Sequence, residues 1–264
     1  MLFRSRELGI PKLKQEKSLN YAAGITFTKK AFSATIDFYH VTIEDRIVLT
    51  GTFYDDDPEI GADLQALNVS AAQFFTNAVN TSTDGIDAVL TYNIMIKDKH
   101  KFNFSLAGNF NKMKIDKIYT NDKLSGKEVI YFGVREQYFL LASAPSSKVS
   151  FGINYSINHF FADLRFTQFG EVKLVNFNDN GDDVVTESSD PYTNELDLYK
   201  PKFTTDLALG YNFKNVSLTV GATNLLNQYP DPHDPGLTES GGTWDAVQMG
   251  FAGSFYYAKL GFKF

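Results

Sequence analysis

The chain of 264 residues contains no cysteine, one tryptophan and no long run of apolar residues. The absence of cysteine excludes disulfide scaffolds, thiolate metal sites and cysteine nucleophiles. No stretch approaches the roughly 18 consecutive apolar residues that a membrane-spanning helix needs. A net charge of −6 argues against a nucleic-acid partner, because such a partner requires a basic surface. The first residues also lack the apolar core of a secretory signal peptide.

Aromatic residues, in contrast, are abundant. The chain has 24 Phe, 14 Tyr and 1 Trp, which together make up 15% of it, beside 21% charged residues. So many rings in a polar chain are typical of elements that have one apolar and one polar face. A hydrophobic content of 43% excludes intrinsic disorder, and the length allows a sizeable core in one or two domains.

Nearly the whole chain alternates between apolar and polar residues with a period of two, which is the pattern of a β-strand. Between residues 101 and 111, Phe102, Phe104, Leu106 and Phe110 fall on one face and mostly Asn and Ser residues on the other. The same alternation predicts nine strands, at residues 18–28, 32–39, 85–92, 101–111, 148–155, 158–169, 202–211, 215–225 and 250–264. Many are about ten residues long, which suits a tilted membrane crossing.

The connections between these strands alternate without exception between short and long. The short ones are residues 29–30, 93–100, 156–157 and 212–214, and the long ones are residues 50–71, 113–147, 173–201 and 227–249. Outer-membrane barrels have this layout, with short periplasmic turns and long extracellular loops. We therefore predict an all-β fold, a transmembrane antiparallel up-and-down β-barrel, with a short helix at residues 62–69. A soluble β-sandwich is the alternative, since alternation alone does not reveal which face is inside.

The last predicted strand ends on an aromatic residue and carries an apolar residue at every second position before it. These positions are Tyr256, Ala258, Leu260, Phe262 and Phe264. The pattern resembles the signature by which the outer-membrane assembly machinery recognises its barrel substrates. An ordinary edge strand that happens to end in Phe is the alternative interpretation.

Four segments resemble the C-terminal barrel region of TonB-dependent receptors. Residues 11–24 (PKLKQEKSLNYAAG) resemble a strand opening of the family, and residues 38–47 (FYHVTIEDRI) resemble a strand exit. Residues 77–87 and 220–230 resemble two later segments of the same barrel. Because the segments occur in the order of the family and precede the terminal Phe264, the resemblance covers about residues 9–264.

The resemblance implies that residues 1–264 form a C-terminal segment, about nine strands, of a larger barrel with roughly 22 strands. The plug domain and the signal peptide of the family are expected to be absent from this segment. An open sheet in lipid would leave unpaired strand edges, which favours this interpretation over a complete protein. A small self-contained outer-membrane barrel, acting as a structural or binding protein with a tenth strand in residues 1–17, is the alternative.

The resemblance also implies a function and a set of partners. It implies a location in the cell outer membrane of a Gram-negative bacterium and import of a scarce solute, of the ferric siderophore, cobalamin or glycan class. The implied partners are outer-membrane lipid, the barrel assembly machinery, the small-molecule or glycan ligand, and TonB, which the missing N-terminal part would contact. No nucleic-acid partner is implied.

No catalytic or cofactor-binding motif occurs, so we predict neither an enzyme nor a bound cofactor. An outer-membrane enzyme is accordingly disfavoured. In the third long connection, Asp179, Asp182 and Asp183 are candidates for a Ca²⁺ site because their oxygens are hard ligands, although they match no fixed loop pattern. A solvated acidic loop is the alternative. Trp244, in the last long connection, is a candidate either for stacking on a ligand or for an interfacial or loop-packing role.

Overall fold

The computed structural model describes residues 10–58, 60–120, 128–142, 144–177, 185, 187–188, 194–238, 240–244 and 248–263. The candidates Asp179, Asp182, Asp183 and Phe264 lie outside these residues. Among the helices of the described part, none is both long and apolar enough to cross a membrane.

Nine antiparallel strands form one sheet and follow one another in chain order, as the alternation predicts. They are β1 (Lys17–Lys29), β2 (Phe32–Leu49), β5 (Phe75–Ile96), β6 (His100–Ile118), β7 (Ser147–Ile157), β8 (Phe160–Phe169), β11 (Lys202–Asn212), β12 (Val216–Thr223) and β13 (Phe255–Phe262). Two short ribbons stand apart from this sheet, β3 (Phe53–Tyr54) with β4 (Ala71–Ala72) and β9 (Val172–Val175) with β10 (Leu196–Tyr199). The helices are α1 (Gly61–Ala66), α2 (Glu128–Tyr131) and α3 (Val134–Leu141).

The register between the strands aligns the apolar residues of all nine into one face. One row of directly opposed residues reads Lys29, Phe32, Tyr92, Phe104, Ile153, Leu164, Leu207, Ala222 and Tyr256. The adjacent row, on the other face, reads Thr28, Ser33, Thr91, Ser105, Gly152, Arg165 and Asp206. Since residues that face each other across antiparallel strands point to the same side, the sheet has one apolar and one polar face.

The predicted boundaries differ from the structure at several connections. The third short turn was expected at residues 156–157, but β7 continues to Ile157 and the chain turns at Asn158 and His159. Asn158 has φ of +50°, a left-handed conformation that Asn tolerates better than most residues. The second long connection was expected from Met113, but β6 continues to Ile118 because its pairing with β5 extends that far. The predicted helix is present as α1, which begins at Gly61 and ends at Ala66.

The described sheet does not close. Its two terminal strands, β1 and β13, each pair with a single neighbour among the described residues. All thirteen residues of β1 are exposed. A tenth strand is not seen in residues 10–16, the described part of the segment where the alternative of a small self-contained barrel would place it.

Candidate functional site

The four long connections (residues 50–74, 119–146, 170–201 and 224–254) are here called the loop cap. Their described parts lie at the same end of the sheet and contact one another. The first two are joined by a hydrogen bond from the Gly51 N–H to the Ile130 carbonyl, 3.0 Å. The last two are joined by a bond from the Phe177 N–H to the Leu237 carbonyl, 3.2 Å. Helix α3 links the two pairs, because Phe139 packs against the buried core beside β9 and β10.

The first two connections share an apolar core. Phe53, Ile60, Leu64 and Tyr131 are buried in it, and each side chain is at most 2% exposed. The Tyr131 hydroxyl is hydrogen-bonded to the hydroxyl of Thr76 at 2.6 Å, which satisfies both buried groups. Burial raises the pKa of Tyr131, so its hydroxyl stays protonated. This core fixes the first connection on top of β5.

A cleft of about 460 Å³ lies between the outer end of β2 and helix α3. Arg46 and Arg135 contribute guanidinium groups to its lining, beside the rings of Phe132 and Phe139. The Arg135 guanidinium lies 4.9 Å from the centre of the Phe139 ring. Glu136 accepts a hydrogen bond from the Gly133 N–H at 3.1 Å and so caps α3. Glu136 also lines the cleft and lies 3.9 Å from the Arg135 guanidinium, so Arg46 supplies the positive charge of the lining that no carboxylate in the lining pairs with. The cleft thus combines a net positive lining with aromatic surface, which suits a solute that carries both negative charge and apolar area.

The third and fourth connections are held together by buried polar contacts. The Gln248 amide nitrogen donates to three backbone carbonyls of the third connection, those of Gly170, Tyr199 and Lys200, at 2.7–3.2 Å. His233 Nδ1 lies 3.0 Å from the Asp197 carboxylate, and its ring is 4.5 Å from that of Tyr199. Because these contacts are buried, they fix the relative position of the two connections.

An ion pair joins the fourth connection to the start of β11. The Lys202 ammonium lies 2.5 Å from Asp231, and the Lys200 N–H donates to the same carboxylate at 2.7 Å. Partial burial by itself would raise the pKa of Asp231, but the bonds from Lys202 and Lys200 outweigh it. The pKa of Asp231 therefore lies below its ordinary value, and the carboxylate remains ionised well into acid solution.

Trp244 lies in a stack of three rings within the fourth connection. Its ring is 5.2 Å from Tyr229 and 5.9 Å from Phe251, with nearly parallel planes in both pairs. Gly253 has φ of +73°, and a Cβ there would lie 2.3 Å from the Tyr229 hydroxyl, so the stack depends on glycine at this position. Of the roles expected for Trp244, the structure supports packing within the loop.

The assembly signature residues that are described lie on β13 and face the apolar side of the sheet. Tyr256, Ala258, Leu260 and Phe262 are opposite Ala222, Val220, Leu218 and Val216 of β12, respectively. The three aspartates of the expected calcium site, Asp179, Asp182 and Asp183, lie outside the described residues. In the described parts of the chain, no group of three or more His, Asp or Glu side chains is placed to hold a metal ion.

The polar face of the sheet carries a ladder of hydrogen bonds between strands. Asn109 donates to Asp87 at 2.6 Å and to the Tyr39 hydroxyl at 3.1 Å. Asn103 donates to Asn93 at 2.8 Å in the same way. Gly85 makes room for the Tyr39 ring, since a Cβ there would lie 2.0 Å from that ring. This face is thus lined with amide, hydroxyl and carboxylate groups.

Sequence reasoning missed the residues that hold the cap together. Gln248 and His233 lie in a polar segment with no periodicity. Their partners lie between 36 and 78 positions away in the chain. Arg135 is the second residue of the short helix α3, which Gly133 precedes as the N-cap. Glu136, at the third helical position, is the local signal for the start of that helix, because a glutamate there can accept a hydrogen bond from the N-cap N–H.

Comparison with known proteins identifies related barrels. A family model described as TonB dependent receptor-like, beta-barrel matches residues 2–225. A comparison with curated proteins finds no match.

Several solved structures resemble the chain at low sequence identity, which supports the fold alone. The outer membrane transporter YddB from Escherichia coli has a TM-score of 0.61 and 13% identity, over 96% of this chain and 33% of that one. The siderophore receptor PirA from Acinetobacter baumannii has a TM-score of 0.56 and 17% identity, over 96% and 32%. The copper transporter OprC has a TM-score of 0.56 and 16% identity, over 96% and 32%. The chain therefore spans about a third of the length of the structures it matches.

Proposed function

The chain belongs to the family of TonB-dependent receptor-like β-barrels, and from this premise we propose that it forms barrel wall and extracellular loops of an outer-membrane importer. The observation that carries the proposal is the single apolar face that runs through all nine strands, opposite a polar face. In this proposal the apolar face meets lipid and the polar face lines the lumen.

The apolar face of the sheet is long enough to cross the hydrocarbon core of a membrane once. On β6, apolar or aromatic residues occupy the same face from His100 to Phe110, apart from Gly108. Ten steps of about 3.4 Å along a strand that is tilted by roughly 40° rise about 26 Å. The apolar band of outer-membrane barrels is about 25 Å tall. β6 can therefore cross the hydrocarbon region once, with Ile118 well above it.

The two faces of β6 change character beyond Phe110. Lys112, Lys114 and Asp116, on the side of Phe110, are exposed and charged. Ile115, on the opposite side, packs against the core of the loop cap. This change is expected where a strand leaves lipid, because its outer side then meets water and its inner side meets the loops. The change supports placing the outer boundary of the hydrocarbon region near Phe110. It also supports the assignment of the Phe110 side of β6 to lipid.

The open edges of the sheet support completion by further strands. In hydrocarbon, the unpaired N–H and C=O groups along β1 and β13 would each cost several kcal/mol. We propose that both edges pair with other strands of a barrel of roughly 22 strands, and that the present chain is a C-terminal segment of it. The energy for import would then come from TonB through a part of the receptor other than the strands described.

The proposed solute is a metal chelate of the siderophore class. The cleft supports this choice through Arg46 and the rings of Phe132 and Phe139, because such chelates combine negative charge with apolar surface; the charge of Arg135 is offset there by Glu136. PirA, one of the structures with this fold, is described as a siderophore receptor. Arg46→Gln should weaken binding of an anionic ferric chelate several-fold, with a small loss of stability because Arg46 also donates a hydrogen bond to the buried Thr81 hydroxyl at 3.3 Å. Unaltered binding would remove this cleft from the proposed path of the solute.

We also propose that the terminal strand acts as an assembly signal, with Phe264 as its last residue. Deletion of Phe264 should lower the amount of protein in the outer membrane through failed recognition, with little loss of native packing. Unchanged levels and an unchanged rate of folding would contradict this role.

The topology is tested by labelling intact cells with a membrane-impermeant thiol reagent. The chain has no cysteine of its own, so single substitutions Asp57→Cys, Asp182→Cys and Asp234→Cys report on the loop cap without background. They should react, while the matched substitutions Lys30→Cys and Lys214→Cys in the short turns should react only after cells are opened. Labelling of the short turns and silence of the loop cap would invert the proposed orientation.

A further inference from the structure

Exposed lysines surround the short-turn end of the sheet. They form what we call the lysine collar, Lys29, Lys30, Lys97, Lys99, Lys214 and Lys263. All six are exposed, and the four short turns contain one acidic residue, Asp98. The long connections at the opposite end contain 20 acidic and five basic residues. The charges of this acidic chain are thus segregated by end, and the short-turn end alone is strongly positive.

Aromatic rings lie next to the lysine collar on the apolar face. Tyr211 lies 4.8 Å from Phe213 and 5.9 Å from the ring of His159 in the neighbouring turn. Phe27 and Phe32, beside the first turn, are 6.4 Å apart. Rings of this kind mark the boundary between hydrocarbon and headgroups in membrane barrels. The collar therefore lies at headgroup level if the apolar face lies in lipid.

Two lysines of the collar occupy left-handed backbone positions, as the neighbouring Asp98 also does. Lys30 has φ of +54° and Lys97 has φ of +51°, in the left-handed region that glycine and asparagine adopt more readily. The third short turn uses Asn158 for the same conformation, with φ of +50°. Lysine thus occupies two positions where local geometry favours another residue, and this departure is the kind expected at a functional surface.

We propose that the lysine collar binds the phosphate groups of anionic phospholipids in the leaflet next to the short turns. The proposal rests on the proposed function, because it requires the apolar face to lie in a bilayer. Lysine suits this partner, since its long apolar stem lies along the hydrocarbon boundary while its ammonium reaches a headgroup phosphate. Lys29 illustrates the arrangement, because it ends the row of apolar side chains that begins with Tyr256 across the sheet.

The test is quenching of a single tryptophan by brominated phospholipids. The reporter is Phe213→Trp in the last short turn, combined with Trp244→Phe, so that the protein keeps one tryptophan. The protein is reconstituted into vesicles that contain brominated phosphatidylglycerol or brominated phosphatidylcholine at equal mole fraction. We expect the anionic lipid to be bound about fivefold more tightly, which is the effect expected of one lysine near an anionic surface. Raising the salt concentration should weaken this preference.

Matched variants assign the preference to the collar. Replacing Lys214, on the reporter's own turn, and Lys263, whose N–H donates to Asn215 of that turn, by Gln should abolish it, whereas Lys112→Gln with Lys114→Gln, at the opposite end of the sheet, should leave it unchanged. Equal binding of the two lipids by the protein with its lysines intact would overturn the proposal, and would point to an acidic protein or polymer as the partner. If neither lipid quenched the reporter, the membrane assignment of the proposed function would fail instead.

Discussion

The sheet and the loop cap obtain their stability in different ways. In the loop cap, Phe53 and Tyr199 are completely buried, as in a water-soluble domain. In the sheet, Leu106 is 39% exposed and Phe110 is 50% exposed, although both lie on its apolar face. The cap carries its own core, whereas the sheet offers its apolar surface to something outside the chain. The difference supports the proposal that lipid covers the apolar face of the sheet, while the cap has a buried core of its own.

The two regions also use hydrogen bonds differently. The sheet is held mainly by regular backbone pairing, which does not depend on particular side chains, and bonds between neighbouring strands such as that from Asn109 to Asp87 add to it on the polar face. In the cap, single side chains bridge distant segments, as Gln248 does between the fourth connection and the Gly170 carbonyl. Substitutions should therefore be damaging in the cap through lost packing, and in the sheet mainly through the wrong polarity toward lipid.

The largest effect is expected in the cap core. Phe53→Ala should destabilise the cap by about 3–5 kcal/mol, because a fully buried ring would leave a cavity. The effect is measured as faster hydrogen exchange of the Gly51 amide, which is bonded across the cap to Ile130. As a matched control, Leu106→Ala on the apolar face should leave this exchange unchanged. Equal effects of the two substitutions would remove the distinction between the regions.

The next effect separates the two faces of one strand. Leu106→Arg should destabilise the protein in lipid by about 2–4 kcal/mol, because arginine on the lipid side near the middle of the membrane is poorly solvated. Ser105→Arg, one position away on the polar face, should cost much less. Unfolding by denaturant in lipid vesicles measures both variants. A greater loss for Ser105→Arg would reverse the assignment of the faces.

The smallest effect concerns acid. Because the pKa of Asp231 is lowered in the folded protein, its pair with Lys202 stabilises the cap fully above the unfolded pKa, near 4. This contribution, about 1 kcal/mol or less, is lost as the pH falls below 4 toward the folded pKa. Asp231→Asn should therefore be less stable than the native protein at pH 6, and the difference should shrink as the pH falls below about 4. A stability difference that stays constant with pH would contradict the role of the ion pair.

The sheet could be predicted from sequence and most of the cap could not. Period-two alternation, as in residues 101–111, is a local pattern, and it predicted the nine strands of the sheet. The alternation of short and long connections predicted that all the long ones lie at the same end of that sheet. The extension of β6 to Ile118 was missed, because its two faces exchange polarity beyond Phe110 as the surroundings change. The contacts of Gln248 and Tyr131 depend on residues far away in the chain, and no short-range pattern announces them.

Contact between lipid and the apolar face of the nine-stranded sheet can be measured with a quencher carried on lipid acyl chains. A fluorescent label is attached through Leu106→Cys or, in a separate protein, through Ser105→Cys, and each protein is reconstituted in vesicles. We expect strong quenching at position 106 and little at position 105, because adjacent residues of a strand point to opposite faces. Quenching at position 105 but not at 106, or at neither position, would contradict this expectation.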